Sequence, residues 1–196
     1  MLDHVFTDAI GALRDALEAA LLERMTADER FQVDVLLGDT TWETSYGLPG
    51  EGSPPRVRAD ITLDWPTWSQ SAFRSWLRSE EPEDDPRIEI SIVLRLQRLA
   101  GVPTPDQVTG VLPAESPWLG TDQLHRTAPT VETAYDADLA PVSHAVELAY
   151  EGTYDLHDKA LSDGAVLDDH FSALGGWIAS MLVRLGDLPL AYHDPD

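Results

Sequence analysis

Cysteine is absent from this chain, which removes disulfides, thiolate nucleophiles and cysteine metal sites together. Lysine is nearly absent, since Lys159 is the sole lysine among 13 basic residues. No uninterrupted apolar run approaches the roughly 20 residues that a membrane-spanning helix requires. The opening stretch MLDHVFTDAIG carries acid where a secretory leader carries base. These absences predict a protein of the cytoplasm, or of a virion if its source is viral. Phosphate-cradling glycine patterns, the serine elbow of hydrolases, the zincin histidine pair and the EF-hand spacing are lacking too. No cofactor is expected, and the chain reads more readily as a non-enzyme than as an enzyme.

What is present in excess is acid. Asp and Glu number 35 against 13 Lys and Arg, a formal net charge of −22 over 196 residues. Such a field repels nucleic-acid phosphates and anionic lipid headgroups, and the arginines are scattered through the sequence. Neither nucleic acid, by direct phosphate binding, nor a membrane is therefore an expected partner. The kind of charge says more than its total: Asp exceeds Glu by 22 to 13, and Arg has displaced Lys. Molar salt strengthens the drive to bury apolar surface, which makes the long lysine stem costly, whereas short carboxylates hold water and counter-ions. In composition the chain resembles the proteins of extreme halophiles, or of viruses that infect them.

With 43% apolar residues there is material for a core. Leu2, Phe6, Ile10, Leu13, Leu17 and Leu21 recur at helical spacing, so residues 2–25 are expected to form an amphipathic helix. Residues 31–37 alternate as a strand, ended by Gly38-Asp39. GLPGEGSPPR, residues 47–56, has three Gly and three Pro and reads as a loop, with Trp42 and Tyr46 on its approach. Val57, Ala59, Ile61, Leu63 and Trp65 alternate with polar residues and predict a strand with one wet face. A short helix is expected around Trp68–Leu77, a charged loop over 80–86 and a second alternating strand over 88–96. Six prolines between 101 and 141 predict an irregular surface excursion. Period two returns from Val142 to Tyr150, and a last amphipathic helix is expected to begin at an N-cap of Asp168-Asp169 and end at Gly186. The reading is a single α+β domain over 1–196. An antiparallel or mixed β-sheet is covered on one face by the N- and C-terminal amphipathic helices, and long Pro/Gly-rich loops project from it.

Trp65 and Trp177 fit core phases, whereas Trp42, Trp68 and Trp118 flank loops or prolines and are candidate interface anchors. An oxygen-and-imidazole metal site is the alternative, built from Asp155, His157, Asp169 and His170. Against it, Asp168 and Asp169 serve equally well as helix caps, and an Asp beside a His is unremarkable in so acidic a chain. His144, in phase with Val142 and Val146, is expected to be a core histidine bonded to a carbonyl. A third reading, an acidic mimic of DNA, needs carboxylates in a row along one face, and here they are distributed over all of them.

The order of elements carries a resemblance. An N-terminal helix (AIGALRDALEAALLERM), a strand, the loop GLPGEGSPPR and a strand running into a Trp-Ser segment (RADITLDWPTWSQSAFRSWL) together resemble tail-terminator and head-to-tail connector proteins of tailed viruses. That resemblance, over about residues 9–99, implies an α+β fold, ring assembly at the end of a tail tube and no enzymatic activity. The expected function is accordingly a non-catalytic structural or assembly protein of a halophilic system whose partners are proteins or further copies of itself.

Overall fold

The computed structural model describes residues 3–21, 30–36, 38–48, 54–82, 84–156 and 164–194. Seven strands make one antiparallel sheet: β1 (Arg30–Leu36), β2 (Asp39–Gly47), β3 (Val57–Trp65), β4 (Arg87–Leu99), β5 (His125–Arg126), β6 (Thr130–Tyr135) and β7 (Pro141–Asp155). The first four follow one another as a meander, β7 pairs with β4, and both β5 and β6 pair with the outer edge of β7. The helices are α1 (Asp3–Leu21), α2 (Thr67–Leu77), α3 (Pro105–Thr109) and α4 (Gly164–Gly186).

The alternation in β3 and β4 sorts the two sheet faces. Val57, Ala59, Ile61, Leu63 and Trp65, with Ile88, Ile90, Ile92, Leu94 and Leu96, are all buried under α1 and α4. The two helices lie side by side, and at Gly175 their backbones nearly touch. Phe6 of α1 stacks on Trp65 of β3 at 5.8 Å between ring centroids. Trp177 of α4 meets Tyr150 of β7 edge-on at 4.9 Å. Burying aromatic rings of this size contributes heavily to core stability, so the α+β reading, with the terminal helices covering one face, holds.

Four local expectations are corrected. Trp42 and Tyr46 do not lie on a loop but in β2, both buried with Thr44 on the core face. Leu36 pairs with Asp39 across a tight hairpin turn that Gly38 enters at φ 94°. The strand thus ends at Gly38-Asp39 as the sequence suggested, and the chain turns back there into β2. The excursion of 101–141 holds the turn of helix that the sequence allows at Asp106–Leu112, seen as α3, but it is not irregular elsewhere either: β6 pairs with residues 141–147. The last helix starts at Gly164, so Asp168 and Asp169 are exposed residues within it and not its N-cap. Its apolar stripe begins at the buried Leu167, a turn before Phe171. Lastly, His144 is half-buried, and its Nδ1 faces the Thr133 hydroxyl at 2.9 Å instead of a carbonyl.

Strand direction gives the sheet two distinct ends. Arg87 pairs with Asp155 at one end and Leu99 with His144 near the other. Helix α2 belongs to the first end, joined there by Gln70 Nε2, which donates to the Gly38 and Trp65 carbonyls at 2.9 and 2.8 Å. The hairpin of β6 with residues 141–147 of β7 belongs to the second.

Candidate functional site

The three tryptophans expected as interface anchors separate. Trp42 is withdrawn from any partner by complete burial. Trp68, second residue of α2, is 38% exposed, with the Arg87 guanidinium 4.8 Å above its ring. Trp118 is 64% exposed on a loop whose neighbour Leu119 is buried. That loop approaches the same end of the sheet as α2, since a Cβ at Gly120 would contact Tyr154 at 3.7 Å and Thr121 Oγ1 lies 3.5 Å from Asp155 Oδ2.

Of the metal candidates, Asp155, Asp169 and His170 fall among the described residues. His157 lies outside the described residues, and Asp169 is exposed on α4. Among the described residues no group of three His, Cys, Asp or Glu is placed to share an ion. His170 is engaged elsewhere: its Nδ1 is 3.0 Å from the Tyr154 hydroxyl, and the two rings meet edge to face. Burial pushes the Tyr154 phenol up to about 12. It therefore keeps its proton at neutral pH and supplies neither a phenolate nucleophile nor a base.

The sheet face opposite the helices is a mosaic of matched charges. Arg58 Nη2 holds Asp60 at 2.7 Å, Arg95 pairs with Glu147, and Asp60 and Asp64 accept from the Ser45 and Thr41 hydroxyls. Asp60 and Asp64 each accept from a neighbouring side chain on this face.

The feature that the sequence did not announce is the β6–β7 hairpin. Val146 is buried on the helix-covered face, while Val131 opposite it is exposed, as is Val142 at the irregularity where the β6–β7 register shifts. The apolar face of the sheet thus runs out from beneath its helices. Tyr135 at 60% exposure and Leu139 at 80% complete the arm. Its turn is built, not slack: Asp136 Oδ1 accepts the N–H groups of Asp138 and Ala140, each at 2.9 Å, and Asp136 N–H donates to the Ala140 carbonyl at 3.0 Å. This turn holds Leu139 at φ 61°, a left-handed conformation that is uncommon for a side chain other than Gly, Asn or Asp. The Leu139 N–H closes the turn on the Asp136 carbonyl at 3.1 Å, while its side chain is left largely to solvent.

No described helix is long and apolar enough to cross a membrane. Comparison with family models, characterised proteins and solved structures finds no match in any of the three.

Proposed function

We propose that this chain is a non-catalytic assembly protein that works by binding copies of itself, in a salt-rich setting and in the manner of a viral tail or neck ring component. The observation that carries this reading is the β6–β7 arm, where Val131, Tyr135, Leu139 and Val142 stand exposed on an ordered hairpin. Covering such side chains is worth on the order of 1.5–3 kcal/mol for each one fully buried, which a partner supplies and water does not. β6 is also an edge strand, with β7 as its one partner among the described residues. Chains that do not assemble shorten or charge their edges, whereas this one lengthens it and adds aromatic and aliphatic residues. The resemblance to ring-forming tail proteins points to the same kind of activity.

The test is the mass of the native chain in molar KCl by light scattering or sedimentation over a wide concentration range. A multiple of the monomer mass is expected. A strict monomer at every concentration overturns the reading.

A further inference from the structure

The arm needs an occupant, and the rest of the chain offers one. We infer that the β6–β7 arm of one copy packs on the exposed face of α2 in the next copy, head to tail; this rests on the self-assembly reading above. The arm carries carboxylates and no permanent cation: residues 127–146 include Glu132, Asp136 and Asp138, neither Lys nor Arg, and one imidazole, His144, whose Nδ1 faces the Thr133 hydroxyl. Among the described helices α2 is the one without a carboxylate: TWSQSAFRSWL has Arg74 as its only charge. Arg78 follows at its C-cap, and Trp68 and Leu77 border the exposed face on either side. The acidic loop after it offers one nearby counter-charge, Glu80, 3.6 Å from Arg78 and largely solvated. In a chain of net charge −22, a solvated face with arginine at its middle and apolar side chains at its borders suits an acidic, apolar partner.

Placement agrees with chemistry. Helices already cover the inner face of the sheet elsewhere, and the uncovered strip of the arm continues that face, so a helix is the natural thing for it to receive. The arm and α2 sit at opposite ends of the sheet, since Arg87 pairs with Asp155 at one and Leu99 with His144 near the other. Joined head to tail, each copy uses its arm on one neighbour and offers α2 to another, which closes into a ring or continues as a filament, whereas the reciprocal antiparallel pairing would stop at a linked dimer and overturn the head-to-tail arrangement. Trp118 lies at the α2 end and so falls beside the same junction.

The absence of cysteine makes the test clean, because introduced thiols have no native competitors. A chain carrying both Leu139→Cys and Leu77→Cys, oxidised in molar KCl, is expected to form a disulfide-linked ladder, and each single variant is not. Linkage through Leu139→Cys alone would show a two-fold arm-to-arm contact and overturn the inference while leaving self-assembly standing. No ladder from a chain that still sediments as an oligomer would do the same. A wild-type chain that stays monomeric removes both readings. As a second measurement, Leu77→Ser and Leu139→Ser should each weaken association at least tenfold, and the pair little more than either alone, because they remove one shared contact. Fully additive losses count against it.

Discussion

Gly175 lies against the backbone of Leu13 so closely that a Cβ at this position would fall 2.3 Å from the Leu13 carbonyl oxygen. The neighbouring Gly176 faces open space, with nothing within 4 Å of where its Cβ would be. Two adjacent glycines in one helix therefore have opposite meanings. Gly175→Ala must push α1 and α4 apart and is expected to destabilise by about 1–3 kcal/mol or more, the range for overpacking a filled core. Gly176→Ala removes a helix penalty of about 1 kcal/mol and is expected to stabilise by up to that amount. Urea unfolding of both variants checks the pair, and equal effects would mean that the helices are not in backbone contact.

Asp39 links the β1–β2 turn to the start of α2. Its Oδ1 accepts the Thr67 backbone N–H at 2.6 Å and the Thr67 hydroxyl at 2.7 Å, while the N-cap position itself is occupied by Pro66, which has no capping side chain. These two hydrogen bonds, the hydroxyl's first, hold the carboxyl below its ordinary value of 3.8. Because the folded value is the depressed one, the resulting stability is complete above the ordinary value and disappears as pH falls through the folded value. Asp39→Ala should lower the midpoint of thermal unfolding at pH 7 and change it much less at pH 2. A loss of equal size at both would show that the contribution is not ionic.

Arg126 fastens the segment between β4 and β5. Its Nη1 donates to the carbonyls of Leu112 at 2.6 Å and Thr109 at 3.0 Å, and the Tyr150 hydroxyl donates to Pro113 beside them at 2.7 Å. Burial raises the Tyr150 phenol above its ordinary value, and the charge of Arg126 opposes that rise. Arg126→Ala is expected to cost roughly 1.5–3 kcal/mol, as charged donors do. Amide exchange should accelerate through residues 105–124 while β3 and β4 stay protected. Uniform acceleration across the sheet would refute a local anchoring role.

The acid-rich, lysine-poor surface leads to a prediction about solvent. Thermal unfolding in low salt should occur at markedly lower temperature than in molar KCl, since screening relieves self-repulsion at net charge −22 and salt strengthens burial. Identical unfolding temperatures would end the halophilic reading.

Much of the fold was legible because burial imposes alternation. Val57–Trp65 and Ile88–Leu96 each show one face to the helices and one to water, and a period of two reports that directly. β2 was obscured because its core face is Trp42, Thr44 and Tyr46, a set with a hydroxyl in the middle, set between Gly38 and a Gly/Pro-rich segment. β6 was invisible for a different reason: TVETAY is exposed almost throughout, so its hairpin pairing with β7, and not a buried face, makes it a strand. The arm was missed with it, since the left-handed turn that presents Leu139 depends on the Asp136 hydrogen bonds and leaves no hydrophobic period. One glycine of the pair in α4 makes a close approach to α1. Which glycine made it depended on the rotation of one helix against another, which no local pattern records.

The contact of α1 with α4 also sets the order in which this chain can become a protein. Ser172 and Ala12, neighbours across the two helices, are 160 positions apart in sequence. During synthesis the apolar stripe of Phe6, Leu13 and Leu17 therefore precedes α4 by most of the chain, and until α4 arrives only the sheet, where Phe6 meets Trp65, can cover it. Contacts closed over so long a loop slow folding and leave apolar surface open in the interval. A nascent chain of this kind depends on something to hold α1 until the last helix arrives, be it a chaperone, the half-formed sheet or the ribosome surface.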